Sequence, residues 1–229
     1  YLNCRRFSLI IYLFTNSVFF PLIKLIKEEL NISLFEFVKA VFDNLELNNN
    51  KEYLNANSIN NFSKTYFEFS KECEQELFDS KEDIYEFYSK DENYNKLLST
   101  DLGDNLLRKY SVKIICNAFT EAINLSIDVI PDMIAKDGLT EDDVRGILNS
   151  LKLWLTNLYV FDALFDWDKE KNNETEISLE FDVPAWYKSD QKSILNFKKK
   201  TDYKLIYNKK NEKLKDEILS VFNSEDPIF

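Results

Sequence analysis

Residues 102–136 constrain the fold more than any other part of the chain. Between residues 106 and 130, apolar side chains recur at steps of three and four residues, which is the period of an α-helix. A helix that is apolar around so much of its circumference must be covered by neighbours on several sides. The pattern therefore predicts the central helix of a bundle. Its apolar rows are Leu106, Tyr110, Ile114, Ala118, Ala122, Leu125 and Val129, and Leu107, Ile115, Phe119, Ile123, Ile127 and Ile130.

The composition favours a mostly helical class. Hydrophobic residues make up 45% of the 229, which is enough to bury a core, whereas the chain has only 3 Gly and 4 Pro. Phosphate-binding loops and tight-turn β architectures depend on Gly and Pro, so dinucleotide folds, sandwiches and propellers are disfavoured. The chain is expected to be mostly α.

The sequence predicts no catalytic residue and no metal ligand set. There is no His, which removes the commonest general base and the commonest metal ligand. Four-helix di-iron sites use Glu-x-x-His, and that pattern cannot be completed here. Cys4, Cys73 and Cys116 are far apart and odd in number, which indicates reduced thiols and a cytoplasmic location rather than a disulfide framework.

The charge is unevenly distributed. Residues 43–101 contain 14 acidic residues and 6 Lys, whereas residues 188–215 contain 10 Lys and 3 acidic residues. The net charge of −11 repels nucleic acid, and a Lys run without Arg is a poor nucleic-acid signature. We therefore predict no nucleic-acid partner and interpret the Lys cluster as a solvated surface.

Residues 7–26 raise the question of a membrane segment. Arg5 and Arg6 precede an apolar run, but polar residues interrupt it at 15–17 and Lys24 lies inside it. We favour two packed helices, at residues 6–14 and 18–30, with Ser17 as the N-cap of the second. Tyr1 stands in place of Met, so we expect a piece of a longer protein that exposes an apolar patch near residues 7–20 when isolated.

Capping signals divide the middle of the chain into helices. Ser33 and Glu36 form a capping box before a helix to residue 47, and residues 48–57 are the best candidate loop. Aromatic-rich helices follow at residues 58–78, 80–88 and 91–98, whose aromatic stripes are interpreted as core. Asp101 or Asp104 is expected to cap the central helix. Thr140 and Asp143 cap a helix over residues 141–165, predicted to be the antiparallel main partner of the central helix.

The last quarter of the chain has a different pattern. Residues 175–183 alternate apolar and polar side chains until Pro184, and residues 201–207 form a weaker strand candidate. We predict one antiparallel β-ribbon that leans on the helices, followed by an amphipathic helix over residues 211–222. This gives a helical bundle over residues 1–167 and a ribbon with a closing helix over residues 168–229.

One cluster is a candidate for contact with a ligand or another domain. Arg is scarce in this chain, and Arg108 lies beside Lys109 and Tyr110 near the start of the central helix. A planar guanidinium suits bidentate contact with carboxylate or phosphate. An ion pair within the chain is the competing interpretation.

Several phrases carry a resemblance to a known family. They are RRFSLIIYLF from residue 5, FFPLIKLIKE from residue 19, ELFDSKEDIYEFY from residue 76, LLSTDLGDNLLRKY from residue 97, and FDVPAWYKSD from residue 181 followed by TDYKLIY. Together they resemble the C-terminal helical region of radical S-adenosylmethionine (radical SAM) proteins that also carry a cobalamin-binding domain. The family's Cys-x-x-x-Cys-x-x-Cys motif is absent, so no catalytic residue carries over.

The resemblance implies an accessory domain without reacting groups. The iron-sulfur cluster, S-adenosylmethionine and cobalamin would then be bound by an upstream catalytic domain of the same polypeptide, which would be the partner of this chain. Two alternatives from other classes remain: a stand-alone helical protein-interaction module, and a membrane-associated protein anchored by residues 7–26.

Overall fold

The structure is a computed structural model that describes residues 1–52, 60–98, 105–133, 139–158, 174–190 and 193–206. Helices dominate it, and a two-stranded sheet lies near the C-terminus. The α-helices are α1 (Leu2–Phe14), α2 (Phe20–Lys24), α3 (Leu34–Glu52), α4 (Asn61–Glu74), α5 (Lys81–Tyr88), α6 (Asp91–Leu98), α7 (Leu106–Val129), α8 (Glu141–Leu158) and α9 (Val183–Tyr187). The strands are β1 (Glu174–Phe181) and β2 (Lys198–Ile206). Shorter turns are the 3-10 segments Ser17–Phe19, Pro131–Met133 and Ile194–Phe197, and a π-helical turn at Leu25–Glu29.

Helix α7 is the central helix, as its apolar rows predict. It packs against α4, α1, α3 and α8, and eleven of its residues are buried. The ring of Phe69 in α4 meets that of Tyr110 at 5.4 Å, and Phe19 meets Phe119 at 5.3 Å. Ala118 leaves the helical conformation (φ −145°, ψ 23°), so α7 is kinked there. Pro131 follows Ile130, the residue that caps the C-terminal end of the helix.

The prediction that α8 is the main partner of α7 is wrong. The two helices do touch, but α7 packs more extensively against α4, while α8 gives much of its surface to strand β1. The reason lies at Gly146, where a Cβ atom would come within 2.9 Å of Phe181 Cε2. The missing side chain lets the strand approach the helix, and Ser150 Oγ accepts a hydrogen bond from the Phe181 N–H at 3.1 Å.

Strands β1 and β2 form the predicted antiparallel ribbon. Glu174 pairs with Ile206 and Phe181 with Lys198, with an irregularity between Leu179 and Phe181. Strand β2 begins three residues before the predicted residue 201. The fold class, mostly α with a small antiparallel ribbon, is therefore confirmed. The predicted closing helix over residues 211–222 lies outside the described residues.

Most of the predicted helix starts are confirmed. Ser33 Oγ accepts from the Glu36 N–H at 3.2 Å, and the Glu36 carboxylate accepts from the Ser33 N–H at 3.0 Å. Ser80 and Thr140 cap α5 and α8 in the same way. Before Ser33, Asn31 takes the left-handed conformation (φ 50°), which ends the preceding turn as an αL cap does.

Three predicted boundaries are corrected. Asn16 rather than Ser17 caps the second N-terminal segment, and Asn105 rather than Asp101 or Asp104 accepts from the N–H of the first turn of α7. Helix α3 continues to Glu52, so residues 48–52 of the predicted loop are helical. Residues 53–57 of that loop and residues 159–165 of the long helix lie outside the described residues.

The N-terminal segment packs inward, against our expectation of an exposed patch. Its buried side chains are Leu9, Ile10, Leu13, Phe14, Val18 and Phe19, and among the large apolar side chains between residues 7 and 20 only Ile11, Tyr12 and Phe20 are exposed. The expected patch is therefore wrong for most of this segment. Within the described ranges, no single helix has the length and apolar character to cross a bilayer. Leu2–Phe14 and Ser17–Glu29 reach that threshold only jointly, across a bend of 66°.

Candidate interaction site

The predicted cluster at the start of α7 does not form one surface. Arg108 is exposed and Lys109 is half-buried, but Tyr110 is buried against Phe69. Burial, followed by a hydrogen bond to the Glu72 carboxylate, raises the pKa of Tyr110. Successive residues of an α-helix point in different directions, at about 3.6 residues per turn, so adjacent residues rarely share a face. Tyr110 is thus a core residue that ties α7 to α4.

Arg5 and Arg6 connect α1 to two other helices. Arg5 Nη2 lies 3.1 Å from Glu76 just after α4, and Arg6 Nη1 lies 3.5 Å from Glu46 in α3. Tyr1 donates to Glu76 at 2.7 Å. The two guanidinium groups are already paired with carboxylates of the same chain, which gives them a structural role between helices.

Two segments that are far apart in the sequence, FFPLIKLIKE from residue 19 and FDVPAWYKSD from residue 181, meet at Lys24. Its Nζ donates to the backbone carbonyls of Trp186 (3.3 Å), Tyr187 (3.1 Å) and Ser189 (2.8 Å), at the end of α9. The ammonium also lies over the Trp186 ring, 4.9 Å from its centroid. A few residues on, Glu29 accepts from Trp186 Nε1 at 2.9 Å. FFPLIKLIKE and FDVPAWYKSD therefore form one joint between the N-terminal and C-terminal parts.

The chain offers no ligand set for a metal centre within the described residues, where no three Cys, Asp or Glu side chains converge. The three cysteines are unpaired: Cys4 is exposed on α1, while Cys73 and Cys116 are buried in α4 and α7. Burial raises the pKa of Cys73, although the Arg5 guanidinium acts in the opposite direction. Three thiols on three separate helices do not fit an iron-sulfur cluster, which needs several Cys close together.

Helices α5 and α6 expose apolar side chains that sequence reasoning assigned to the core. No residue between 77 and 98 is buried. Five large side chains, which together we call the α5–α6 surface, are 40% to 65% exposed: Ile84, Tyr85, Tyr94, Leu97 and Leu98. On α6, Tyr94, Leu97 and Leu98 follow the i, i+3, i+4 spacing that places side chains on one helix face.

Local contacts hold α5 and α6 in a defined hairpin. Ser80 caps α5 through the Asp83 N–H at 3.1 Å, and Asn93 Nδ2 donates to the Phe87 carbonyl at 2.9 Å. The rings of Phe78, Phe87 and Tyr88 pack together, with centroids 5.2–6.3 Å apart. The half-buried rings thus pack α5 against the segment before it, and the Asn93 hydrogen bond joins α5 to α6, while the α5–α6 surface is left to solvent.

One signal in the sequence could have located this surface. Helices α5 and α6 are only eight residues long each, and together they contain five acidic residues and two Lys. Because so many positions of these short helices are charged, each helix has an apolar stripe that is too narrow to be covered by neighbours on two sides. The aromatic spacing alone suggested core, because core and docking faces share the same period.

Comparison with known proteins identifies no relative. A scan against models of protein families, a search of curated proteins and a search of solved structures each find no match. A hypothesis about function therefore depends on the surface chemistry of the chain and on the quoted phrases.

Proposed function

We propose that this chain is a non-catalytic helical docking domain, and that it is the accessory C-terminal region of a radical SAM enzyme that also binds cobalamin. The single observation that carries the docking role is the α5–α6 surface, where five large apolar side chains face solvent on adjacent short helices. Groups of large exposed apolar side chains on neighbouring elements are typical of interaction sites. The partner in this proposal is the upstream catalytic domain of the same polypeptide.

The radical SAM assignment is supported by the resemblance phrases and by where two of them lie. Segments that are 162 residues apart in sequence, at Lys24 and Trp186, meet through hydrogen bonds and a cation–π contact. In this proposal the iron-sulfur cluster, S-adenosylmethionine and cobalamin are bound upstream.

The remaining parts of the proposal concern location and other partners. A cytoplasmic protein is supported by three free cysteines, two of them buried in helices. The absence of a nucleic-acid partner is supported by the net charge of −11. No role for a membrane is included, because most of the apolar residues between 7 and 26 are used in packing within the chain.

The upstream reading frame provides the test. We expect it to encode a Cys-x-x-x-Cys-x-x-Cys motif ahead of Tyr1, and the upstream polypeptide to co-purify with this chain when the two are expressed as separate pieces. The upstream piece alone should hold the iron-sulfur cluster after anaerobic reconstitution. An upstream frame without those cysteines, or with a start codon immediately before Tyr1, overturns the radical SAM assignment.

The second candidate is a stand-alone helical interaction module. It is favoured by the same α5–α6 surface, which requires a partner but not an enzyme. An immediate start codon together with a stable complex formed with an unrelated protein would select this alternative.

A further inference from the structure

We propose that the α5–α6 surface binds a basic amphipathic helix. This inference deepens the docking role proposed above, because it names the chemistry of the partner segment that the surface receives. It does not depend on the radical SAM assignment.

The α5–α6 surface carries exposed apolar side chains on both helices. Tyr94, Leu97 and Leu98 form a stripe along α6, and Ile84 and Tyr85 are exposed on the neighbouring helix α5. The hydrogen bond from Asn93 to the Phe87 carbonyl and the packing of α5 on α6 hold the two helices together. A stripe with this spacing on short helices matches the recognition of an amphipathic helix, whose anchors recur at i, i+3, i+4 and i+7.

Acidic side chains lie on the same two helices as the stripe. Glu82, Glu86 and Asp91 are exposed on α5 and α6, and the two helices together carry five acidic residues against two Lys. The two Lys of these helices are engaged within the chain, since Lys96 pairs with Glu92 at 2.6 Å and Lys81 lies over the Tyr85 ring at 5.5 Å. An apolar stripe with a negative rim is complementary to an apolar stripe with a positive rim.

Charge complementarity excludes the other occupants. A second copy of this face would bring two acidic rims together, which is unfavourable. An acidic peptide or a nucleic acid is repelled for the same reason. A neutral apolar helix would satisfy the stripe but leave the carboxylates without counter-charges.

The test uses the whole chain and two synthetic helices. The first peptide has Leu at the i, i+3, i+4 and i+7 positions and Lys elsewhere; the second replaces every Lys by Glu. Both carry a fluorophore, and binding is followed by anisotropy at physiological ionic strength. We expect the Lys peptide to bind and the Glu peptide to bind at least about tenfold more weakly, with affinity for the Lys peptide falling as salt is added.

Two variants separate a specific site from general attraction to an acidic protein. Leu97→Gln combined with Leu98→Gln removes the centre of the stripe without changing the charge, and should weaken binding by about tenfold or more. The matched control is Leu153→Gln on α8, which is 38% exposed in the native chain and should change binding by less than about twofold. All three residues are exposed, so far-ultraviolet circular dichroism should be unchanged.

Several outcomes overturn the inference. One is a Lys peptide that does not bind, another is equal affinity for both peptides, and a third is equal affinity for the native chain and the double variant. None of these affects the co-purification test, so a chain that associates with its upstream piece but not with the peptide keeps the proposed function and loses this inference. Peptide binding by a chain whose upstream frame lacks the cluster cysteines would keep this inference and overturn the radical SAM assignment.

Discussion

At the scale of single residues, the three thiols should differ sharply in reactivity. Burial raises the pKa of Cys116 to about 12 and also raises that of Cys73, whereas Cys4 is exposed on α1. Because the thiolate is the reactive form, a thiol reagent at neutral pH should modify Cys4 alone in the folded protein, and all three after denaturation. Mass spectrometry of the labelled chain measures this.

The matched control for the thiol experiment is Cys4→Ser, which should abolish the rapid phase of labelling. Rapid labelling of Cys73 in that variant would contradict the prediction. It would indicate that the Arg5 guanidinium stabilises the thiolate more strongly than burial opposes it.

Tyr203 makes a prediction at alkaline pH. Burial, followed by a hydrogen bond to Asp182, raises its pKa from the ordinary 10.0 to about 12. The folded state therefore holds this proton more tightly than the unfolded state, so the stabilisation is complete below pH 10 and is lost as pH rises toward 12. The free energy of unfolding, measured by urea titration, should fall more steeply over that range in the native chain than in Tyr203→Phe. Equal slopes would show that this phenol is not protected.

At the scale of elements, Gly146 is required by the contact between α8 and β1. A Cβ atom there would lie 2.8 Å from Glu180 Oε2 and 2.9 Å from Phe181 Cε2, and the buried Phe181 ring has little room to move. Gly146→Ala should therefore destabilise the protein by about 1–3 kcal/mol, as overpacking does, although Ala is the better helix former. Asn149→Ala, at an exposed position of the same helix, is the control and should be close to neutral. Thermal unfolding followed by circular dichroism distinguishes them.

The central helix gives a second prediction at this scale. Ile115 and Phe119 are buried, and the Phe119 ring packs against Phe19 across the helix interface. Truncation of either to Ala should cost about 2–5 kcal/mol, because each leaves a cavity in the core. Thr120→Ala, at an exposed position of α7, should have little effect. If the melting midpoints of both core variants matched that of the native chain, α7 would not be the centre of the bundle.

Elements with strong local signals were predictable from the sequence. Which other elements pack against them was not. The apolar rows of α7, the alternation in β1 and the capping box at Ser33 are properties of a few adjacent residues, and the structure agrees with each. The preference of α8 for β1 depends on the absence of one side chain at Gly146, which periodicity does not register.

The candidate site was missed for a related physical reason. Tyr94, Leu97 and Leu98 have the spacing of a core stripe, and whether such a stripe is covered depends on what packs over it. Conversely, Tyr110 looked available beside two cations but turns toward Phe69. Exposure is a property of the assembled bundle, so the sequence located the stripes without distinguishing covered ones from free ones.

At the scale of the whole molecule, the proposed division at residue 167 can be tested through the joint at Lys24. The ribbon and α9 pack against α8. Lys24 and Glu29 join the end of α9 to the N-terminal segment through hydrogen bonds. A two-stranded ribbon is marginal alone, so it should not outlast the helices that support it. We therefore expect the two parts to unfold together.

A single tryptophan provides the measurement for this last prediction. With Trp154→Phe and Trp167→Phe as background, fluorescence reports on Trp186, which is buried beside Lys24, while far-ultraviolet circular dichroism reports on the helices. The two urea transitions should coincide. Lys24→Met removes the donor to three carbonyls at a side chain only 17% exposed, and should lower both midpoints together, by about 1–3 kcal/mol in the free energy of unfolding. Lys27→Met, at an exposed position on the same turn, is the control and should leave them unchanged. The prediction would be contradicted if, in the protein that keeps Lys24, the fluorescence transition occurred at a lower urea concentration than the loss of helix. The C-terminal part would then be a separate unit attached to the bundle.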